Sequence, residues 1–134
     1  MPTNPVIKRD LIYPDLSYKI AGICFTVHNE LGRFAREKQY GNALEKSLIQ
    51  KQIQYKRELT IGDSRNISDF VIDDKILLEL KAKPFILKDD YYQVQRYLYQ
   101  LRLKLGILVN FRSYRVVPKR ILLTEKTVLT MNSE

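Results

Sequence analysis

The sequence predicts an α/β fold, with a mixed central sheet flanked by helices. Three observations predict it. Apolar residues recur every three to four positions from Leu16 to Leu31, which is helical spacing. At Ile53 the period drops to two, as in a strand with one wet face. A third helical stretch, 89–104, lies between two apolar segments, where it can act as the crossover that joins parallel strands.

Residues 1–15 carry Pro2, Pro5 and Pro14 and read as an extended arm. Leu16, Ile20, Ile23, Cys24, Val27 and Leu31 form one helical stripe, and Gly32 ends it. A second helix is expected from Ala35 to Gln52, with Tyr40, Leu44 and Leu48 inward. Ile53, Tyr55, Arg57, Leu59 and Ile61 alternate with polar residues as the first strand. Gly62 to Asn66 is turn chemistry, Ile67 to Ile72 the second strand, Asp73-Asp74 a turn, and Ile76 to Ala82 the third. Asp89 and Asp90 favour the start of the next helix, whose apolar face is Tyr91, Val94, Leu98, Leu101 and Leu105. Gly106 to Phe111 is nearly all apolar and reads as a strand buried on both faces. Val116 to Leu123, interrupted near Pro118, is expected at a sheet edge. The polar tail from residue 124 is expected to be loose. The 134 residues suit one domain: an arm (1–15), an extra N-terminal helix (16–31), a core (35–123) and a tail (124–134).

Composition narrows the chemistry. One cysteine, Cys24, permits neither an internal disulfide nor a cysteine-based zinc site. One histidine, His28, excludes multi-histidine metal sites. Both residues are expected in structural roles. No apolar stretch approaches a membrane span, and Met1 to Pro5 opens no signal-peptide core. A soluble, cytoplasmic protein is therefore the default expectation. Lys and Arg total 23 against 15 acidic residues, a net charge of +8, and such a surface attracts polyanions, nucleic acid first. Charge alone would also suit a small basic protein with no such partner.

Three charged residues interrupt apolar strands: Asp69 in the second, Glu79 and Lys81 in the third. Buried charge is costly unless paired or metal-bound. Ile76, Leu78, Leu80 and Ala82 share one face, so Glu79 and Lys81 share the other. Asp69 joins them only if the hairpin loop has an odd length, because a one-residue slip flips every side chain. A three-residue loop is expected, with Asp69 and Glu79 opposite or diagonal. Two converging carboxylates suit Mg²⁺ or Mn²⁺, which can polarise a phosphate and acidify a bound water. Lys81 would orient that water or offset charge in the transition state. The bland alternative is a Glu79–Lys81 surface pair with Asp69 at a strand end.

Asp69 followed by Glu79-Leu80-Lys81, in the order helix, three-stranded meander, helix, strand, resembles the PD-(D/E)XK nuclease superfamily. Ser68 stands where the family's name has proline. Leu31-Gly32-Arg33-Phe34-Ala35-Arg36-Glu37-Lys38-Gln39-Tyr40, then Ala43-Leu44-Glu45, resembles the GxxExxY branch, although Phe34 stands where that branch has glycine. The resemblance spans residues 16 to 123 and implies a restriction-endonuclease-like αβββαβ core, with the first helix and last strand as additions. It also implies that Glu37 is the acidic residue of the first core helix, binding metal directly or through water. Gln93 and Tyr97, four apart on the crossover helix, resemble the Gln-x-x-x-Tyr motif of the exonuclease-like branch, beside the active site. Gln95 competes with Gln93 for that role. Plain helix-start, core-packing and polar-flank readings of Glu37, Tyr40 and Gln93 stand beside these.

The expectation is thus a Mg²⁺-dependent nuclease acting on DNA, with Mn²⁺ as a substitute. Asp69, Glu79 and Glu37 would serve the metal, Lys81 the water, and Gln93 and Tyr97 would support them. Arg33, Arg36, Lys38, Lys83 and Arg96 are candidate nucleic-acid contacts. A homodimer is compatible with what the resemblance implies. The alternative is a catalytically silent domain of the same fold that binds nucleic acid or a protein partner.

Overall fold

The computed structural model describes residues 12–63 and 65–132. Its elements are α1 (Pro14–Leu31), α2 (Glu37–Gln50), β1 (Tyr55–Thr60), β2 (Ile67–Ile72), β3 (Ile76–Lys81), α3 (Lys88–Leu101), β4 (Leu105–Asn110), β5 (Lys119–Leu122) and α4 (Glu125–Asn132). The five strands form one sheet in the order β1-β2-β3-β4-β5. The β1–β2, β2–β3 and β4–β5 pairs are antiparallel, and β3–β4 is parallel. The sheet is therefore mixed, and α3 is the crossover that lets β3 and β4 run the same way.

Each face of the sheet buries its own set of side chains. Phe70, Ile72, Ile76, Leu78, Leu80, Ile107 and Val109 pack with Ile20, Ile23, Val27, Tyr40, Leu44 and Leu48 of α1 and α2. Val71, Leu77, Leu108 and Ile121 pack with Val94, Tyr97 and Leu98 of α3. Covered on both sides, β4 is buried along its whole length. Gly106 lets α3 approach: a Cβ there would lie 2.7 Å from Val94 Cγ1. Cys24 lies in the α1 stripe, where burial pushes its thiol up to about 12.

The elements follow the expected order, with two differences. The expected loose tail instead forms α4 from Glu125. Its start is seeded by a Val128 N–H bond to the Thr124 carbonyl. The expected arm over residues 1–15 lies outside the described residues as far as residue 11, and Pro14 already opens α1, where proline costs no helical hydrogen bond. Among the described residues, no helix is long and apolar enough to cross a membrane.

Candidate active site

The β2–β3 hairpin decides the site. Ile72 pairs with Ile76, so Asp73, Asp74 and Lys75 form a three-residue loop. Asp73 and Asp74 both take positive φ (54° and 53°), which aspartate tolerates better than most residues. This odd loop length puts Asp69 opposite Glu79, on the face that α3 covers. The regular pairing ends at Phe70–Leu78. Beyond it the two carboxylates bridge the strands themselves. Asp69 N–H donates to Glu79 Oε1 at 3.0 Å, and Leu80 N–H donates to Asp69 Oδ2 at 2.7 Å. On the other side of β2, Asp69 lies level with Glu58, which takes a left-handed φ of 55° and drops out of the β1–β2 pairing. The sheet thus opens on both flanks of Asp69.

A recess of about 300 Å³ lies at this opening, lined by Glu37, Lys38, Gly41, Arg57, Glu58, Asp69, Phe70 and Leu80. Glu79, 3% exposed, is joined to Asp69 of this lining by the Asp69 N–H bond. Burial, and then the charge of Asp69, push the Glu79 carboxyl well above the usual carboxylate range. Glu37 opens α2 at the rim. Partial desolvation and the Asp69 charge raise its carboxyl too, against the pull of Lys81 and Lys83.

Lys81 is set from α3. Its Nζ donates to Gln93 Oε1 at 2.9 Å and lies 3.9 Å from Asp90 Oδ1. Gln93 is also hydrogen-bonded to Tyr97, whose buried hydroxyl is raised by desolvation and by Glu79. Of the two glutamines, Gln93 is the one bonded to Lys81. Gln95 turns away, donating to the Leu122 carbonyl at 2.8 Å, and its Oε1 is buried without a partner among the described residues.

The other expected residues divide. Lys38 lines the recess. Lys83 is held against Asp90 at 2.6 Å, and Asn110 grips its main chain through Oδ1 and Nδ2. Arg33 Nε donates to the Arg112 carbonyl at 2.9 Å. Arg36 is the residue before α2, where its N–H bonds Gln39 Oε1. Arg96 is exposed on α3 next to Tyr97. His28 is structural, with Nε2 3.0 Å from the Ser113 carbonyl. Tyr40 does not enter the recess. Its hydroxyl donates to the Gly32 carbonyl and accepts from Ala35 N–H, and its ring stacks on Phe111 at 4.3 Å. It thereby fixes the loop that delivers Glu37.

The chemistry of the donor set fits one hard divalent cation. Asp69 and Glu79 face each other across the break, each with one oxygen on a backbone N–H, and carboxylate oxygens are the donors such an ion takes. Glu37 does not complete a larger set. Among the described residues, no group of three or more His, Cys, Asp and Glu side chains is placed to hold a metal.

The family model described as the PD-(D/E)XK nuclease superfamily matches residues 14–121. The chain belongs to this superfamily. Nothing among curated proteins matches its sequence. Among solved structures, it is similar to an alkaline exonuclease from Laribacter hongkongensis, at 14% identity and a TM-score of 0.49, over 91% of this chain and 76% of that one. It is also similar to a protein designated SSO0001, at 20% identity and a TM-score of 0.48, over 88% and 75%.

Three further residues around this arrangement are not marked as candidates by the sequence. Asp90 is buried at the start of α3. Burial opposes its charge, but Leu87 N–H and then Lys83 hold its carboxyl below the usual range. The adjacent pair Asp89-Asp90 gave the signal but not which member turns inward. Arg57, on β1, reaches the recess: Nη1 bonds Asn42 Oδ1 and Glu45 Oε1, and Nη2 lies against Gly41. Asn110, inside the nearly all-apolar stretch 106–111, carries no sequence signal for its bonds to the Lys83 main chain.

Proposed function

We propose that this chain is a nuclease of the GxxExxY branch that hydrolyses phosphodiester bonds in DNA with the help of Mg²⁺. The observation that carries the reading is the facing pair Asp69 and Glu79 at a break in the sheet, with Lys81 on the same face. Such an ion, when bound, would polarise the phosphate and lower the pKa of a water beside it.

The chain's own residues supply the rest. Asp69 and Glu79 would hold the ion, and Glu37, at the rim of the recess, would assist them. Lys81, an ammonium fixed by Gln93, orients the attacking water and offsets charge as the phosphate accumulates it. Tyr97 keeps Gln93 in register, and Asp90 steadies the second lysine, Lys83. Lys38, which lines the recess, and Arg36, the residue before Glu37, suit the phosphates on either side of the scissile bond.

The test is cleavage of plasmid and linear DNA with Mg²⁺ or Mn²⁺. Wild type should cut, and Lys81→Ala should lose at least about 100-fold in rate while remaining folded. The absence of cleavage of any DNA or RNA at high enzyme, with either metal, would overturn the reading. DNA binding indifferent to metal and to Lys81→Ala would then favour a silent nuclease-fold domain. The lack of a three-ligand group among the described residues is the observation on that side.

A further inference from the structure

Between the loop before α2 and the turn after β4 lies a cluster that the hydrolytic reading does not use. Phe34, in the loop before α2, is 74% exposed, and Tyr114, in the turn after β4, is 79% exposed. Two guanidiniums accompany them. Arg33 lies over the Phe34 ring at 4.9 Å and over Tyr114 at 6.0 Å, and Arg112 lies over Phe34 at 5.4 Å. The two arginine stems are locked by reciprocal bonds: Arg33 Nε to the Arg112 carbonyl at 2.9 Å, and Arg112 Nε to the Arg33 carbonyl at 3.2 Å. Below the loop, Tyr40 stacks on Phe111 and holds the Gly32 carbonyl and Ala35 N–H. This is a rigid mount for aromatic rings left open to solvent.

Its position matters as much as its composition. Glu37 follows Phe34 by three residues. Arg112 Nη2 reaches the Ala82 carbonyl at 3.4 Å, one residue past Lys81. The cluster therefore borders the site on the side of α2's first turn and the ends of β3 and β4. Packing does not explain the rings, since neither is buried. A charged peptide partner would not need two open rings. Flat rings interleaved with arginines suit one chemistry above others: the face of an unpaired nucleobase, with its phosphate beside the guanidiniums. A paired duplex keeps its base faces stacked inside and cannot offer them.

We infer that Arg33, Phe34, Arg112 and Tyr114 form a stacking platform for an unpaired base, so that the strand entering the site is single-stranded there. This deepens the proposed function and rests on it for the strand's fate, but not for its binding. The chain has no tryptophan, so Phe34→Trp adds a single tryptophan at the platform, excited selectively at the long-wavelength edge where the nine tyrosines absorb little. The experiment uses the full chain with a chelator present, so that no cleavage intervenes. Oligo-dT and oligo-rU are the single-stranded probes, and a blunt duplex is the control. Single strands should quench the tryptophan emission, the stronger quencher showing whether DNA or RNA supplies the base. Phe34→Ala and Tyr114→Ala, both at exposed positions, should each weaken single-strand binding about tenfold and leave duplex binding within twofold. Unchanged emission with both single strands, or equal losses on single strand and duplex, would overturn the platform. Quenching without cleavage under any metal condition would sink the nuclease reading and leave the platform standing. Cleavage with unchanged emission would do the reverse.

Discussion

Replacing Glu79 with glutamine should make the metal-free protein more stable at neutral pH, although it removes a residue of the site. Glu79 is 3% exposed and faces Asp69 across the break in β2–β3. Burial and that neighbouring charge raise its carboxyl above the ordinary 4.5. A group raised on folding contributes stability that is fully present below its unfolded value and is lost as pH climbs toward the folded one. A carboxyl that keeps its proton from pH 4.5 to pH 7 costs about 3 kcal/mol over that span, at about 1.4 kcal/mol per pH unit. Glutamine is isosteric, never ionises, and can still accept the Asp69 N–H through its carbonyl oxygen. Urea unfolding of wild type and Glu79→Gln, with chelator, at pH 4 and pH 7 measures the difference. The two should match within about 0.5 kcal/mol at pH 4, and the variant should lead by about 2–3 kcal/mol at pH 7. Added Mg²⁺ should stabilise wild type at pH 7 and leave the variant unmoved. A variant less stable than wild type at pH 7, or a gap independent of pH, would refute the reasoning.

Two other changes probe the frame that carries the site. Gly106→Ala would drive a methyl against Val94 Cγ1 at the α3–β4 contact and should cost about 1–3 kcal/mol in urea unfolding. Asp90→Asn should cost about 1–2 kcal/mol, because it removes the negative partner of Lys83 and weakens the acceptor for Leu87 N–H. The sign of its pH dependence is opposite to that of Glu79. A carboxyl lowered on folding contributes stability above its unfolded value, lost as pH falls through the folded one. The Asp90→Asn deficit should therefore shrink in acid, as read from the same unfolding curves at pH 7 and below pH 4.

The shared face of Asp69 and Glu79 was legible because strand side chains alternate strictly, so the odd loop at Asp73-Asp74 fixes a whole face. The crossover was legible for a similar reason: a helix between two apolar strands leaves little freedom of topology. Gln93 against Gln95 was not legible. Both lie on the same helical turn, and only packing against β3 on one side and β5 on the other separates them. Arg57 read as one inward member of an alternating strand, because a local pattern cannot show that Gly41, on another element, makes room for a guanidinium. The tail misled because its apolar positions are too few and short to mark a helix without the rest of the fold.

The two outermost strands carry a consequence for assembly. Glu58 breaks the regular backbone of β1 halfway, between charged Lys56, Arg57 and the exposed Thr60. At the opposite border, β5 is only four residues long and follows Pro118, which offers no N–H. Neither rim is a smooth template for a visiting strand, so this sheet resists growing into a continuous ribbon through a second molecule. Edge-to-edge pairing of two copies is thereby disfavoured, and helices or loops are the better surfaces for any self-association.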